Sequence, residues 1–221
     1  MQNLNDRDIR QRDIIPPERL AHYRATVIGA GSIGRNVASQ LASIGIDSLH
    51  LVDPGVVAVE NLACQGFDQD DLGRAKVEAT ADCCHRINPR MEILTEENRF
   101  RRSGAFGNAI FCCVDSIETR RFVWENAGEH AEIFLDGRMT AETIRIVTVG
   151  DAHGRDHFPR TLFAPDRAHR GSCTNKSTIF ASSIAAGLMV SNFSKFLRRL
   201  PIDCDMCINL LAGEWTVSGI N

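Results

Sequence analysis

The segment Gly29-Ala30-Gly31-Ser32-Ile33-Gly34 constrains the fold more than any other part of the chain. It follows the apolar run Ala25-Thr26-Val27-Ile28. It opens a stretch in which Ile33, Val37, Leu41 and Ile44 recur at helical spacing until Gly45 interrupts them. Strand, glycine turn and helix in that order gather free backbone N–H groups and the positive end of a helix dipole at one place, which attracts an anion. Ser48 to Val52 reads as a second strand ending at Asp53, 19 residues after Gly34. A carboxylate at that point accepts hydrogen bonds from ribose hydroxyls. A tight turn of small residues, or a capping aspartate, would account for either feature alone. Together they predict a nucleotide site built on Gly29, Gly31, Gly34 and Asp53.

The βαβ unit implies a parallel sheet with right-handed crossovers, and the rhythm continues. Residues Gly73 to Ile87 read as a helix stopped by Asn88-Pro89, and Met91 to Thr95 as a strand. Ala109 to Val114 is a continuous apolar run, as in a strand covered on both faces, followed by a helix from Ile117 to Ala127. Glu132 to Leu135 and Thr143 to Val149 are further strands. Gly150 to Lys176 lacks periodicity and reads as a long connecting loop before the longest helical pattern, Ser177 to Leu197. Short strands near Ile208 to Leu211 and Trp215 to Ser218 extend the sheet. The expected fold is a Rossmann-like α/β domain over residues 1–221, with helices on both faces of a mostly parallel sheet and residues 1–24 as an N-terminal arm.

Composition narrows the partners. With 25 basic and 28 acidic residues the formal net charge is −3, so no global positive field is available for nucleic acid or an anionic membrane. The N-terminus is charged where an export signal would be apolar. The longest apolar stretch, Ile179 to Val190, is broken by Ser182 and Ser183 and falls short of a bilayer span. Eight cysteines include the adjacent pairs Cys83-Cys84 and Cys112-Cys113 inside apolar segments, which suits reduced core thiols and a cytoplasmic location.

After Asp53 come PGVVAVENLACQ, LGRAK ending at Lys76, INPRMEI and FCCVDSIETRR, with an RxxRQ segment at Arg7 to Gln11 ahead of the glycine turn. This ordered set resembles the ThiF/MoeB/HesA family and the adenylation domain of ubiquitin-activating enzymes. The resemblance implies ATP-dependent adenylation of a carboxylate, usually the C-terminus of a ubiquitin-like or sulfur-carrier protein, by a homodimer. It assigns ribose binding to Asp53, nucleotide contact to Asn61 and phosphate binding to Lys76. It gives magnesium and phosphate holding to Asp115, with Arg120 matching the arginine that follows. Arg10 resembles an N-terminal arginine that reaches the nucleotide across the dimer interface. The chemistry agrees, because an ionised carboxylate needs no general base and the work left is positioning and charge neutralisation.

Where the family has arginine in N-L-x-R-Q, this chain has Cys64. It also has Asp53-Pro54-Gly55 for a D-x-D pair and Asp115-Ser116 for D-N. A catalytically weakened partner subunit is therefore a second reading, and an NAD- or FAD-dependent oxidoreductase a third. Cys173, before Thr174, resembles the cysteine that forms a thioester in ubiquitin-activating enzymes; Arg170 and Lys176 nearby favour its thiolate. Cys204-x-x-Cys207 resembles half of a zinc knuckle, for which two reduced cysteines in a turn is the favoured alternative. Arg138, after Asp136-Gly137, is a candidate contact for the substrate carboxylate.

Overall fold

A computed structural model describes residues 7–102, 104, 106–162 and 177–218. Its centre is an eight-stranded sheet in the order β3-β2-β1-β4-β5-β6-β7-β8. The strands are β1 (Arg24–Ile28), β2 (Ser48–Val52), β3 (Glu92–Glu96), β4 (Ala109–Cys112), β5 (Ile133–Thr140), β6 (Thr143–Val149), β7 (Asp205–Asn209) and β8 (Glu214–Ser218). The first five are parallel, and β6, β7 and β8 continue the sheet antiparallel. The chain builds outward from β1 through β2 to β3, then returns to the other side of β1 as β4. That reversal opens a crevice at the carboxyl ends of the strands, where open α/β sheets bind ligands.

The helices are α1 (Pro17–Leu20), α2 (Ser32–Ile44), α3 (Val59–Gln65), α4 (Lys76–Ile87), α5 (Ile117–Asn126), α6 (Ala152–His157) and α7 (Ile179–Leu197). Strand residues alternate between two cores. On one face Val27, Leu51, Phe111 and Leu135 pack with Val37 and Leu41 of α2 and Met189 and Phe193 of α7. On the other Ile28, Ile110 and Phe134 pack with Val123 and Trp124 of α5 and with Phe158. Phe111, Phe134, Phe158 and Phe193 are all fully buried, each stabilising by about 1.5–3 kcal/mol. Gly45 stops α2 at φ +91°, and the N–H groups of Gly45 and Ile46 return to the carbonyls of Ala42 and Leu41.

Several boundaries differ from the sequence reading. Residues 150–162 are not loop: Asp151 caps α6 by accepting from the Gly154 N–H at 2.7 Å, and a 3-10 turn at Phe158–Thr161 follows. Six helical residues are too few to show a period. The rest of the expected long loop, residues 163–176, lies outside the described residues. Seven-residue α3 escaped notice for the same reason. β5 runs on to Thr140 through a hairpin with β6, and β7 begins at Asp205 rather than Ile208. Helix α7 has the length and apolarity of a membrane span, but half of it is buried, against β5 and β6 among others, as in a core helix.

Candidate active site

Three helix N-termini converge on the carboxyl edge of the sheet, those of α2, α4 and α5. Each follows or faces a strand end there, so their dipoles add positive potential over the crevice. The glycine turn is fixed by steric contact. A Cβ on Gly34 would lie 1.8 Å from the carbonyl oxygen of Gly29, and one on Gly29 would lie 2.7 Å from that of Cys113, so only hydrogen fits. Gly31, the residue before α2, is different: a Cβ there meets only Gln65 Oε1, at 4.0 Å. Its open side is the space an anion would fill.

Asp53 closes the turn from β2. Its Oδ2 accepts from the Ala30 N–H at 2.7 Å and its Oδ1 from the Gly55 N–H at 2.6 Å, tying the glycine turn to the loop that leads into α3. Lys76 begins α4, and its N–H donates to the Gly55 carbonyl at 2.9 Å. Its aliphatic stem lies against Gly55, where an added Cβ would be 3.2 Å from Lys76 Cδ. Asn61, in the first turn of α3, accepts from the Ala58 N–H at 3.0 Å and braces that short helix. Asp115 is exposed just past β4, beside the strand that feeds the glycine turn. Ser116 rather than Asp115 caps α5, accepting from the Thr119 N–H at 3.3 Å, so helix capping does not use the Asp115 carboxylate. The structure thus brings Gly29, Gly31, Gly34, Asp53, Asn61, Lys76 and Asp115 to one edge of the sheet.

Other expected site residues are elsewhere. Arg10 is exposed on an arm docked at the far end of α2, where Arg7 and Gln11 donate to the carbonyls of Ala42 and Ser43 at 2.9 and 3.0 Å. With 13 residues in α2, the glycine turn of the same chain is about 20 Å away. Arg120 faces inward: it is ion-paired with Asp136, donates to the Val114 carbonyl and approaches the Cys112 thiol at 3.9 Å. Arg138 is likewise engaged, with Asp136 Oδ2 at 2.8 Å and with the carbonyl and hydroxyl of Thr161 at 2.9 and 2.7 Å. These contacts give Arg138 a structural role within the fold. Burial pushes both guanidinium groups down, Arg138 to about 10 with help from neighbouring Arg145. Cys173 lies outside the described residues.

The zinc half-knuckle finds little support in geometry. Cys204 is buried and Cys207 exposed, and no cluster of three or more His, Cys, Asp or Glu side chains able to hold a metal occurs among the described residues. Cys64 sits on α3 with its thiol on the Glu60 carbonyl at 3.1 Å and brings no charge. Two residues were missed in the sequence reading. Gln65 has a buried Oε1 without a hydrogen-bond partner, near Gly31; turned over, the same amide would offer N–H groups to an anion. Arg35 is buried over the Phe67 ring at 4.3 Å and donates to the Gly66 carbonyl at 3.0 Å, anchoring the end of α3. Gln65 stood in the motif; nothing in the sequence marked Arg35.

Known proteins agree with this architecture. The chain is 26% identical over 206 residues to ubiquitin-like modifier-activating enzyme 5 of Drosophila willistoni, covering 81% of this chain and 50% of that protein. It is 29% identical over 150 residues to the molybdopterin-synthase adenylyltransferase of Escherichia coli strain K12, covering 61% and 59%. The chain therefore spans about half the length of these curated relatives. The crystal structure of E. coli MccB with MccA superposes with a TM-score of 0.77 at 13% identity, over all of this chain and 73% of that one. That of PaaA gives 0.75 at 20% identity, over 96% and 68%. The ThiF family model matches residues 6–210, nearly the whole of the sheet and its helices, and the chain belongs to the ThiF family.

Proposed function

We propose that this chain is an ATP-dependent adenylyltransferase that activates a carboxylate, the C-terminus of a ubiquitin-like or sulfur-carrier protein. The observation that carries the reading is the convergence of the glycine turn, Asp53, Lys76 and Asp115 on one strand edge. The backbone N–H groups of the turn hold phosphate oxygens, Asp53 takes the ribose hydroxyls and Asn61 contacts the nucleotide. The substrate carboxylate attacks the α-phosphorus, the bond from that phosphorus to the bridging oxygen breaks, and pyrophosphate leaves with its electrons. Lys76 neutralises charge that builds on the leaving group. Asp115 has the hard, exposed carboxylate that magnesium takes alongside phosphate oxygens; the ion when bound supplies further charge neutralisation.

The position of Arg10 supports a homodimer, since the arm cannot serve its own glycine turn from the far end of α2. In a homodimer it serves the partner's. Cys173 is proposed as the acyl acceptor, its thiolate displacing AMP from the adenylate to give a thioester. The seven cysteines among the described residues are unpaired, which supports a reducing compartment, the cytoplasm.

ATP–pyrophosphate exchange with carrier proteins ending in a free carboxylate tests the reading, with ATP and NAD binding compared by calorimetry. Exchange that Lys76→Ala lowers at least about 100-fold is expected, on the scale of losing one transition-state charge contact. NAD binding without ATP binding overturns it. The uncharged Cys64 on α3 favours the second reading, a nucleotide-binding partner subunit with little turnover of its own. ATP binding without exchange for any such carrier would establish that reading instead.

A further inference from the structure

Two of the buried arginines, Arg120 and Arg138, share the carboxylate of Asp136. Arg35 has no such counterpart. It is 6% exposed, and among the described residues no carboxylate pairs with it. Its guanidinium stacks over the Phe67 ring at 4.3 Å, its Nε donates to the Gly66 carbonyl at 3.0 Å, and its Nη1 is buried without a partner. Burial pushes the nearby Cys84 thiol up to about 12, so that group stays neutral and supplies no countercharge. Holding a charge out of water with nothing opposite it is costly, and the cost is recovered where a ligand brings the opposite charge.

The position of Arg35 says which ligand. It starts one helical turn, about 6 Å, beyond Gly31, and side chains on a helix lean back toward its N-terminus. Its bond to Gly66 sets the guanidinium beside Gln65, the last residue of α3. Gln65 in turn faces the glycine turn, with its Oε1 4.0 Å from where a Cβ on Gly31 would stand and itself buried without a partner. A stranded donor and a stranded acceptor thus lie together at the end of α3, next to the open side of Gly31. Turning the Gln65 amide over carries its oxygen away from Gly31 and brings its N–H groups there in exchange.

We propose that Arg35 is the positioning residue of a phosphate subsite beside Gly31: its Nη1 takes the Gln65 oxygen, and the Gln65 N–H groups are thereby held on a phosphate oxygen of the bound nucleotide. The guanidinium does not touch the nucleotide; its charge backs the amide from inside the protein. It supplies from α2 the positive charge that Cys64 does not bring on α3. At a separation of roughly 8 Å and an effective dielectric of about 20, one charge on each side corresponds to an about 30-fold change in affinity. Naming the nucleotide as ATP rests on the adenylyltransferase reading; the subsite needs only a phosphate.

Calorimetric titration with ATP, together with thermal melting of the ligand-free chain, tests the subsite on the parent, Arg35→Met, Arg35→Lys, Gln65→Leu and the double variant Arg35→Met/Gln65→Leu. Arg35→Met and Gln65→Leu should each weaken ATP at least about tenfold, and the double variant little more than the worse single, because the two side chains act as one unit. Arg35→Lys keeps the charge without the fork and should fall between the parent and Arg35→Met. The ligand-free melting temperature of Arg35→Met should stay within about 2 °C of the parent or rise, since methionine replaces an unpaired buried charge at similar volume; a purely structural arginine would lower it. A lowered melting temperature in Arg35→Met, an ATP affinity that it leaves within about twofold, or additive losses in the double variant overturns the proposal. A parent that binds NAD in place of ATP, with the same dependence on Arg35, would sink the adenylyltransferase reading and leave the subsite standing; a parent that binds neither overturns both.

Discussion

Replacing Asp136 with alanine probes how the crevice is held together. Its carboxylate is fully buried and pairs with two arginines, Arg120, whose side chain is 4% exposed, and Arg138, at 13%. Removing it strands both guanidinium groups, one of them with almost no access to water. Breaking a buried pair from one side costs about 3–5 kcal/mol, because the remaining charge keeps its desolvation penalty. For a chain of 221 residues, where each kcal/mol moves the midpoint by about 2–4 °C, the melting temperature should fall by roughly 6–20 °C. Scanning calorimetry and urea unfolding measure both quantities. The double variant Arg120→Met/Asp136→Leu removes the buried carboxylate together with the more buried of its two partners and should lie closer to the parent than Asp136→Ala does. If Asp136→Ala costs under 1 kcal/mol, or the double variant is as damaged as the sum of the singles, the buried-charge argument fails.

Two glycines of the same turn should separate stability from binding. Gly34→Ala forces a methyl to within 1.8 Å of the Gly29 carbonyl and should unfold the turn, seen as a large loss in urea midpoint. Gly31→Ala meets nothing closer than 4.0 Å and should cost no more than about 1 kcal/mol while weakening ATP binding at least tenfold by calorimetry. Acid unfolding should report on Asp205. Burial alone would raise this carboxyl, but hydrogen bonds from Arg145 at 2.9 and 2.6 Å and from His157 at 2.8 Å outweigh it and hold it below the ordinary carboxylate range. A depressed folded value gives stability that is complete above the unfolded value, about 3.9, and lost as pH falls through the folded one. Asp205→Asn should therefore be less stable than the parent at neutral pH, with the gap closing in strong acid. A gap constant with pH would rule out ionisation as its source.

The parallel half of the sheet was legible because each strand there is a short apolar run with a turn signal at its end, and because Gly31 and Asp53 stand where a βαβ unit needs them. The antiparallel half was harder. β5 continues through Asp136, Gly137 and Arg138, polar residues that read as a turn but whose charges are absorbed by Arg120 and Thr161, partners distant in sequence. β7 holds Asp205 for the same reason, with Arg145 and His157 accepting its burial. At the site, Asp53 and Lys76 were readable by position. Arg120 and Arg138 were not, because direction decides whether an arginine meets a ligand or a carboxylate, and a sequence carries no direction. Arg10 illustrates the converse: its residue type was legible, but only the docking of Arg7 and Gln11 on α2 fixed which end of the molecule it lies at.

The two backbone hydrogen bonds of Asp53 set an acceptor count. An ionised carboxylate offers about four lone-pair directions, and Ala30 and Gly55 occupy two. The pair left over equals the number of vicinal hydroxyls on a ribose, so under the proposed function sugar recognition and loop closure would draw on the same small group without competing. An amide in its place would have one oxygen for both duties, and losing either loop would mean losing the sugar's anchor as well.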